Sequence, residues 1–489
     1  MAILLAVALC LAIGFLIAEL GTAGISGSAA GLMRVAFTVG FGLGAISIVD
    51  FFCRVVQFSH PLAIESAIAM ALLLVRVRRR RWSIQLSTTG DGVFQLPRWA
   101  DHGLTAGFVI ATCAAVYAVV VRCVVHPNGD GWDALAIWNL HARFLFRGGA
   151  VWHDGFTTLI PWSHPDYPLL LPASIAHFWT CLGREDARVS SLIGLSFFFA
   201  TAVLLYSALA LLRGRTAAKL GTLLLLSTPL FVQQGAAQYA DVPLSFFFLA
   251  AIALQCVFAQ AEQFAAKRGE SGTSYRLLVL SGAAAGLAAW TKNEGLLFLV
   301  AMVLATGLIW RRRPTSGSQR MRPVPSWRPV LVLVLAMLPG LLWFVWFKHT
   351  INVPGDLFAD RATALRKMAE IKRYGVIANW YGKELLGFGK WLGVPGTVLL
   401  TALSFLGDRN ANGGKWTVQN RALRSTALTL GLTLAGYFAI YVITPNDLYW
   451  HLRFSLNRLF LQVWPSAILL ALLVLRVSVS LDFEDNYSR

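Results

Sequence analysis

Charge is scarce in this chain: 13% of its 489 residues are Asp, Glu, Lys or Arg, while 57% are hydrophobic. Soluble domains carry roughly 25% charged residues, so most of this chain is not solvated by water. Cysteine is scarce too. Cys10, Cys53, Cys113, Cys123, Cys181 and Cys256 lie scattered in or beside apolar stretches. None of them shows the short paired spacing that zinc or redox sites need, and they read as packing residues. No Walker-type loop, no HExxH and no GxSxG elbow occurs, which removes P-loop, zinc-protease and α/β-hydrolase chemistry. No Lys or Arg precedes the first apolar run, so that run reads as a span and not as a secretory signal.

What the chain has in excess is apolar length. A membrane span needs about 20 residues. Apolar runs at about 3–20, 31–52, 59–75, 103–125, 187–212, 217–233, 240–260, 276–291, 294–310, 329–348, 391–406, 425–444 and 460–478 predict an all-α polytopic integral membrane protein with about 13 transmembrane helices. The stretch from Tyr167 to Gly183 is nearly apolar enough to be another. Counting it would invert every later loop, so a re-entrant or interfacial helix is expected there, interrupted by Pro165, Pro168 and Pro172.

The net charge of +18 invites a nucleic-acid partner. The distribution of that charge argues against one. Arg76, Arg78, Arg79, Arg80 and Arg81 follow one span, Arg213, Arg215 and Lys219 separate two more, and Arg311, Arg312, Arg313, Arg320, Arg322 and Arg328 fill a later loop. Such punctuation is the positive-inside pattern of cytoplasmic loops, and all these loops fall on one side when the spans alternate. Membrane lipids are therefore the expected surroundings, with the protein multi-pass in the plasma (inner) membrane. The chain divides into accessory helices at 1–82, a cytoplasmic linker at 83–102, a main membrane unit at 103–478 and a tail at 479–489.

Alternation leaves outward connections at about 126–186, 234–241, 291–294, 349–390 and 445–459. Every histidine but His102 falls in one of these or at an outer span end, which places the chemistry outside. In the first loop, GDGWD sets Asp130 and Asp133 just beyond a span, beside Trp132 and Trp138. A carboxylate at the lipid boundary is partly desolvated, which suits a general base; an Asp before an apolar helix also serves as a plain cap. HPDYP places Asp166 and Tyr167 where the interrupted helix begins. Asp241 opens a span, where an ionisable group is either paired or functional. Lys292 and Glu294 share a tight turn, as an ion pair or with Lys292 as a point charge for phosphate. The 349–390 connection is basic against the positive-inside bias, which fits an anionic ligand or anionic headgroups. Before the last span, His451, Arg453 and Arg458 crowd together with Asp447 and Asn457. Interfacial snorkelling accounts for one such Arg, not for the set.

The order GWDALAIW, HPDYPLLLP, YADVPLSFF, WTKNEGLL and WHLRFSLNRLFLQ resembles the GT-C superfamily of membrane glycosyltransferases. It is nearest to family-39-like bacterial members related to protein O-mannosyltransferases and to the lipid A aminoarabinose transferase. The likeness covers about residues 103–478 and implies a GT-C-like helical unit with interfacial helices in its outer loops. It further implies transfer of a sugar, with inversion, from a polyprenyl-phosphate donor to an extracytoplasmic acceptor. By position it implies that Asp133 is the base and Asp166 a supporting carboxylate. Asp241 and Lys292 would line the site, and His451, Arg453 and Arg458 would hold the donor phosphate. The chain has GDGWD where the mannosyltransferases have an adjacent Asp–Glu pair, which leaves Asp130 as a rival to Asp133. No cofactor is implied, and no sequence pattern indicates a divalent cation. An O-antigen-type ligase would use the same donors. A transporter would call for an inverted repeat and charges near mid-span, of which only Arg34 is present.

Overall fold

The computed structural model describes residues 1–78, 96–129, 131–267, 275–310, 327–353, 355, 361–391 and 419–474. Among them every regular element is a helix, as lipid demands of an open chain, because a helix satisfies its own backbone N–H and C=O groups. In chain order these are α1 (Ala2–Gly21), α2 (Ser28–Val55), α3 (Pro61–Arg78), α4 (Arg98–Val125), α5 (Asn139–Arg147), α6 (Leu170–Leu182), α7 (Ala187–Arg213), α8 (Arg215–Leu226) and α9 (Pro229–Ala236). They continue as α10 (Asp241–Lys267), α11 (Arg276–Thr291), α12 (Asn293–Trp310), α13 (Arg328–Ile351), α14 (Arg361–Ala369), α15 (Ile371–Gly387), α16 (Gln419–Ile443) and α17 (Leu448–Val474).

Among the described residues, nine helices are long and apolar enough to cross a membrane: α1, α2, α4, α7, α10, α12, α13, α16 and α17. The fold class is that expected, and the remaining expected spans differ in instructive ways. α3 and α11 form where expected, but α3 carries Glu65, Arg76 and Arg78, and α11 has only 16 residues. The run at 217–233 is broken between α8 and α9, because Pro229 cannot continue a helix and instead starts the next one at its first position. The run at 391–406 lies outside the described residues. Arg34, the mid-span charge, donates from Nε to Thr22 Oγ1 at 2.9 Å and from its terminal nitrogen to the Ile25 carbonyl, so it serves the end of α1.

α10 is the axis of the bundle. Its central apolar stretch is wholly enclosed, packed by α7, α11, α16 and α17. α4 stands at the opposite extreme: it touches mainly α8 and α9 and exposes Val109, Ile110, Tyr117 and Val124, a surface suited to acyl chains and not to water. The interrupted helix expected after Tyr167 is α6. At 13 residues it rises about 20 Å, too short to cross a core of about 30 Å. It lies buried against α2 and α5. Asp186 then caps α7 by accepting from the Arg188 N–H at 3.0 Å, which turns the chain at once into the next span.

Within the 349–390 connection, α15 lies along α16 and α17. Tyr381 packs on Phe438 and Phe460, and Phe388 on Trp464. Arg373 and Lys367 donate to the carbonyls of Tyr441, Val442, Thr444 and Pro445. These are carbonyls at and just beyond the C-terminus of α16, where helical partners run out. Two of the basic residues in this connection are thus spent on the end of a helix.

Candidate active site

One end of α10 gathers the charged side chains that the sequence spreads over more than 300 positions. Asp241, the first residue of α10, is fully buried, and both its oxygens are taken. Oδ1 accepts from Lys292 Nζ at 3.0 Å and from Gln462 Nε2 at 2.6 Å, and Oδ2 accepts from Arg458 Nε at 2.8 Å. Arg458 lies ten residues into α17, and its Nη1 donates to Asp133 Oδ2 at 2.6 Å. One guanidinium therefore bridges two carboxylates from different elements through two separate nitrogens, Nε and Nη1, where a lysine would have a single one. Its face rests on the Tyr239 ring at 4.6 Å.

Local structure explains how Asp133 arrives there. Gly129 and Gly131 take positive φ values of 93° and 125°, where a side chain would strain the backbone. A Cβ on Gly131 would also stand 2.4 Å from Tyr239 Oη. Asn139 then donates to Gln238 Oε1 at 2.9 Å, and Gln238 donates to the Pro127 carbonyl at 2.9 Å. These bonds tie the first loop to the segment that leads into α10. Asp133 stands at the head of a π-helical turn, Ala134–Trp138, and makes no capping bond; its carboxylate goes to Arg458 instead. The capping alternative thus fails for Asp133, and Asp241 likewise directs its oxygens to other elements. Such π turns are frequent at functional sites. Asp130, the rival carboxylate, lies outside the described residues.

The hairpin between α11 and α12 supplies the second half. Gly295 allows it: a Cβ there would lie 1.9 Å from the Ala288 carbonyl oxygen. Lys292 pairs with Glu294 at 2.8 Å as well as with Asp241 at 3.0 Å, so the ion pair expected within the turn is present and reaches the start of α10. Burial works against the Lys292 ammonium, but Asp241 and Glu294 outweigh it and hold its pKa above the ordinary lysine range. Asn293, next in sequence, donates to Asp166 Oδ2 at 2.8 Å, and Lys348 from the last turn of α13 reaches the same oxygen at 3.0 Å. Lys348 also donates to the Asp166 carbonyl. Tyr167 is stacked between His164 at 4.7 Å and Trp138 at 5.6 Å, with Lys292 5.8 Å from its ring. Burial, reinforced by Glu294, Asp166 and Asp133, pushes its phenol well above the ordinary range.

Asp133, Arg458, Asp241 and Lys292 thus form one network of charged hydrogen bonds; Asp166, with Asn293 and Lys348, forms a second group that meets it along the chain at Asn293 and at the Tyr167 ring. His451 and Arg453 join neither. His451 bonds Thr444 Oγ1 through Nδ1 at 2.8 Å and packs on Tyr441. Arg453 is exposed, with its guanidinium over Phe454 at 5.7 Å. Five residues on a helix turn a side chain well past its neighbour's face, so Arg453 and Arg458 point apart. Lys348, Gln462 and Tyr239 were not singled out from the sequence. Signals existed: Lys348 is a charge at the end of an apolar run, and Gln462 is polar inside one. Among the described residues, no three His, Cys, Asp or Glu side chains converge to hold a metal ion.

No curated protein and no solved structure matches the chain. Residues 187–353 match the family model of dolichyl-phosphate-mannose-protein mannosyltransferases. Asp241, Lys292, Asn293, Glu294 and Lys348 fall inside that segment, while Asp133, Asp166 and Arg458 come to it from outside. Over residues 187–353, the chain is similar to the dolichyl-phosphate-mannose-protein mannosyltransferases, a membrane glycosyltransferase family of the GT-C kind that the sequence resembles.

Proposed function

We propose that this protein is a membrane glycosyltransferase that moves a sugar from a polyprenyl-phosphate donor to an extracytoplasmic acceptor: a cell-envelope glycan, a lipid or a protein. The observation that carries this reading is the Arg458 bridge, which sets a partly accessible carboxylate, Asp133, on the half-buried cation Arg458, with the buried Lys292 joined to them through Asp241. Sugar transfer from a phosphodiester needs both parts. The base takes the proton of the acceptor hydroxyl as its oxygen attacks the anomeric carbon from the face opposite the phosphate. The bond from that carbon to the phosphate oxygen breaks with inversion, and polyprenyl phosphate departs with the electron pair and a charge that cations must meet. Asp133 is assigned the proton, and Arg458 with Lys292 the phosphate. Asp241 has no free oxygen and acts as a positioning residue, holding both cations at fixed spacing.

Asp166, gripped by Asn293 and Lys348, is assigned to orient sugar or acceptor. Asn293 Oδ1 and Trp138 Nε1 are shielded from water and bond to no atom among the described residues. Buried polar groups rarely stay unmatched, and sugar hydroxyls would satisfy both. The active end is assigned to the extracytoplasmic face on the strength of the basic loops at the other end. The family match supports the donor class; the structure favours neither the ligase nor the transporter alternative with an observation of its own. The test is lipid and glycan profiling of a deletion strain. A polyprenyl-phospho-sugar should accumulate and one surface decoration should disappear, both reversed by the wild-type gene but not by one encoding Asp133→Asn. An unchanged lipid-linked sugar pool would rule out the assignment.

A further inference from the structure

The bridge holds its two carboxylates unequally. On one side, Asp241 is fully buried and receives bonds from Arg458, Lys292 and Gln462; parting Arg458 from it would strand a charge in a dry site. Gln462 is itself fixed, since its Oε1 accepts from Tyr437 Oη at 2.6 Å. On the other side, Asp133 keeps about a quarter of its side chain accessible, at 23%. It sits after two glycines with positive φ, and its carboxylate has one bond, to Arg458 Nη1. An anion that competes for Arg458 will therefore displace Asp133 and leave Asp241 in place.

We infer that Arg458 is a shared cation that the donor phosphate takes over from Asp133, so that donor binding itself releases the base and the donor must bind before the acceptor can react. In the unliganded protein the guanidinium occupies Asp133 Oδ2, an oxygen that an acceptor hydroxyl would otherwise reach. The phosphate of a polyprenyl diester offers oxygens to the Nη1 edge while Nε stays on Asp241. Asp133 then loses its partner, and its freed carboxylate can accept the hydrogen bond and then the proton of the acceptor hydroxyl. The consequence is an enzyme that does not deploy its base against water or acceptor until a leaving group is seated.

The inference rests on the donor assignment above, and the test separates the two. Full-length protein in nanodiscs is treated with dicyclohexylcarbodiimide, which modifies proton-bearing carboxyl groups in apolar surroundings. The adduct at Asp133 is quantified by site-resolved peptide mass spectrometry, with and without undecaprenyl phosphate. Loss of one charge-assisted bond should raise the Asp133 labelling rate about tenfold when the lipid phosphate is present. In Arg458→Lys, one nitrogen replaces the two that reach Asp241 and Asp133 separately, and it stays with the buried Asp241, so labelling should be high without any lipid. The thermal midpoint of each sample reports on folding and on lipid binding. If undecaprenyl phosphate raises the midpoint while Asp133 labelling stays low, the release mechanism is overturned and the donor assignment stands. If the lipid phosphate does not bind, both fall. Low labelling in folded Arg458→Lys without lipid would show that Arg458 is not what restrains Asp133, and would overturn the inference independently.

Discussion

Replacing Asp133 by Asn tests the assignment of the base most directly, because the structure separates its chemical effect from its structural one. The amide can still accept one hydrogen bond from Arg458 Nη1, and Arg458 remains held by Asp241 at 2.8 Å. The stability cost is the difference between a charge-assisted and a neutral bond at a partly accessible position, about 1 kcal/mol, so the variant should insert and accumulate normally. An amide cannot take the acceptor proton. General-base catalysis contributes about 10²–10⁴-fold, and turnover should fall by at least the lower figure. Donor binding should persist and even tighten, since a neutral Asn competes less for Arg458 than a carboxylate does. The assay is initial-rate transfer in membranes at matched expression, alongside binding of a lipid-linked donor. An Asn variant within about threefold of wild type, less than any general base contributes, would mean that the proton goes elsewhere, and Asp130 would be the first residue to examine.

Three further outcomes follow from the same geometry. Asp241→Asn removes the anion that Lys292 and Arg458 share and leaves each with one carboxylate, Glu294 and Asp133; the loss should stay below the ~3–5 kcal/mol of a fully stranded buried charge, and the protein should melt below wild type in a detergent thermal-shift assay, an unchanged midpoint refuting the positioning role. Arg453→Ala should retain transfer activity within about twofold while Arg458→Ala loses it, because only Arg458 makes charge-assisted bonds inside the network; equal losses in rate measurements would contradict the inward and outward orientations described above. His141, in α5, is buried, and burial together with nearby His164 lowers its pKa to about 3. Its unfolded-state value is near 6.5, so the unfolded chain binds more protons between these limits. His141 therefore costs stability progressively as pH falls below about 6.5. His141→Phe should flatten the acid limb of thermal stability measured from pH 7 to 4, and an unchanged limb would assign the acid sensitivity to other groups.

The sequence alone determined that this chain is a helical membrane protein, because the lipid core imposes its rule locally: about 20 apolar residues must follow one another wherever the chain crosses. That rule is written in consecutive residues such as those of α7 and α10 and can be read without knowing the fold. The sequence also marked Asp133, Asp166, Asp241, Lys292 and Arg458, because an ionisable group beside an apolar run is costly unless it has a partner. It could not say which partner. Arg453 and Arg458 look equivalent in the sequence, and only the rotation of α17 turns one onto Asp241 and leaves the other over Phe454. Asp133 and Arg458 are 325 positions apart, and no local rule joins them. Their meeting depends on α10 being enclosed by α7, α11, α16 and α17, and on Gln238 and Asn139 pinning the first loop to the approach to α10. The path of α15 beside α17 was decided at that same level. Helix packing in lipid is set by the fit of side chains between whole helices, not by the apolar content of any one of them.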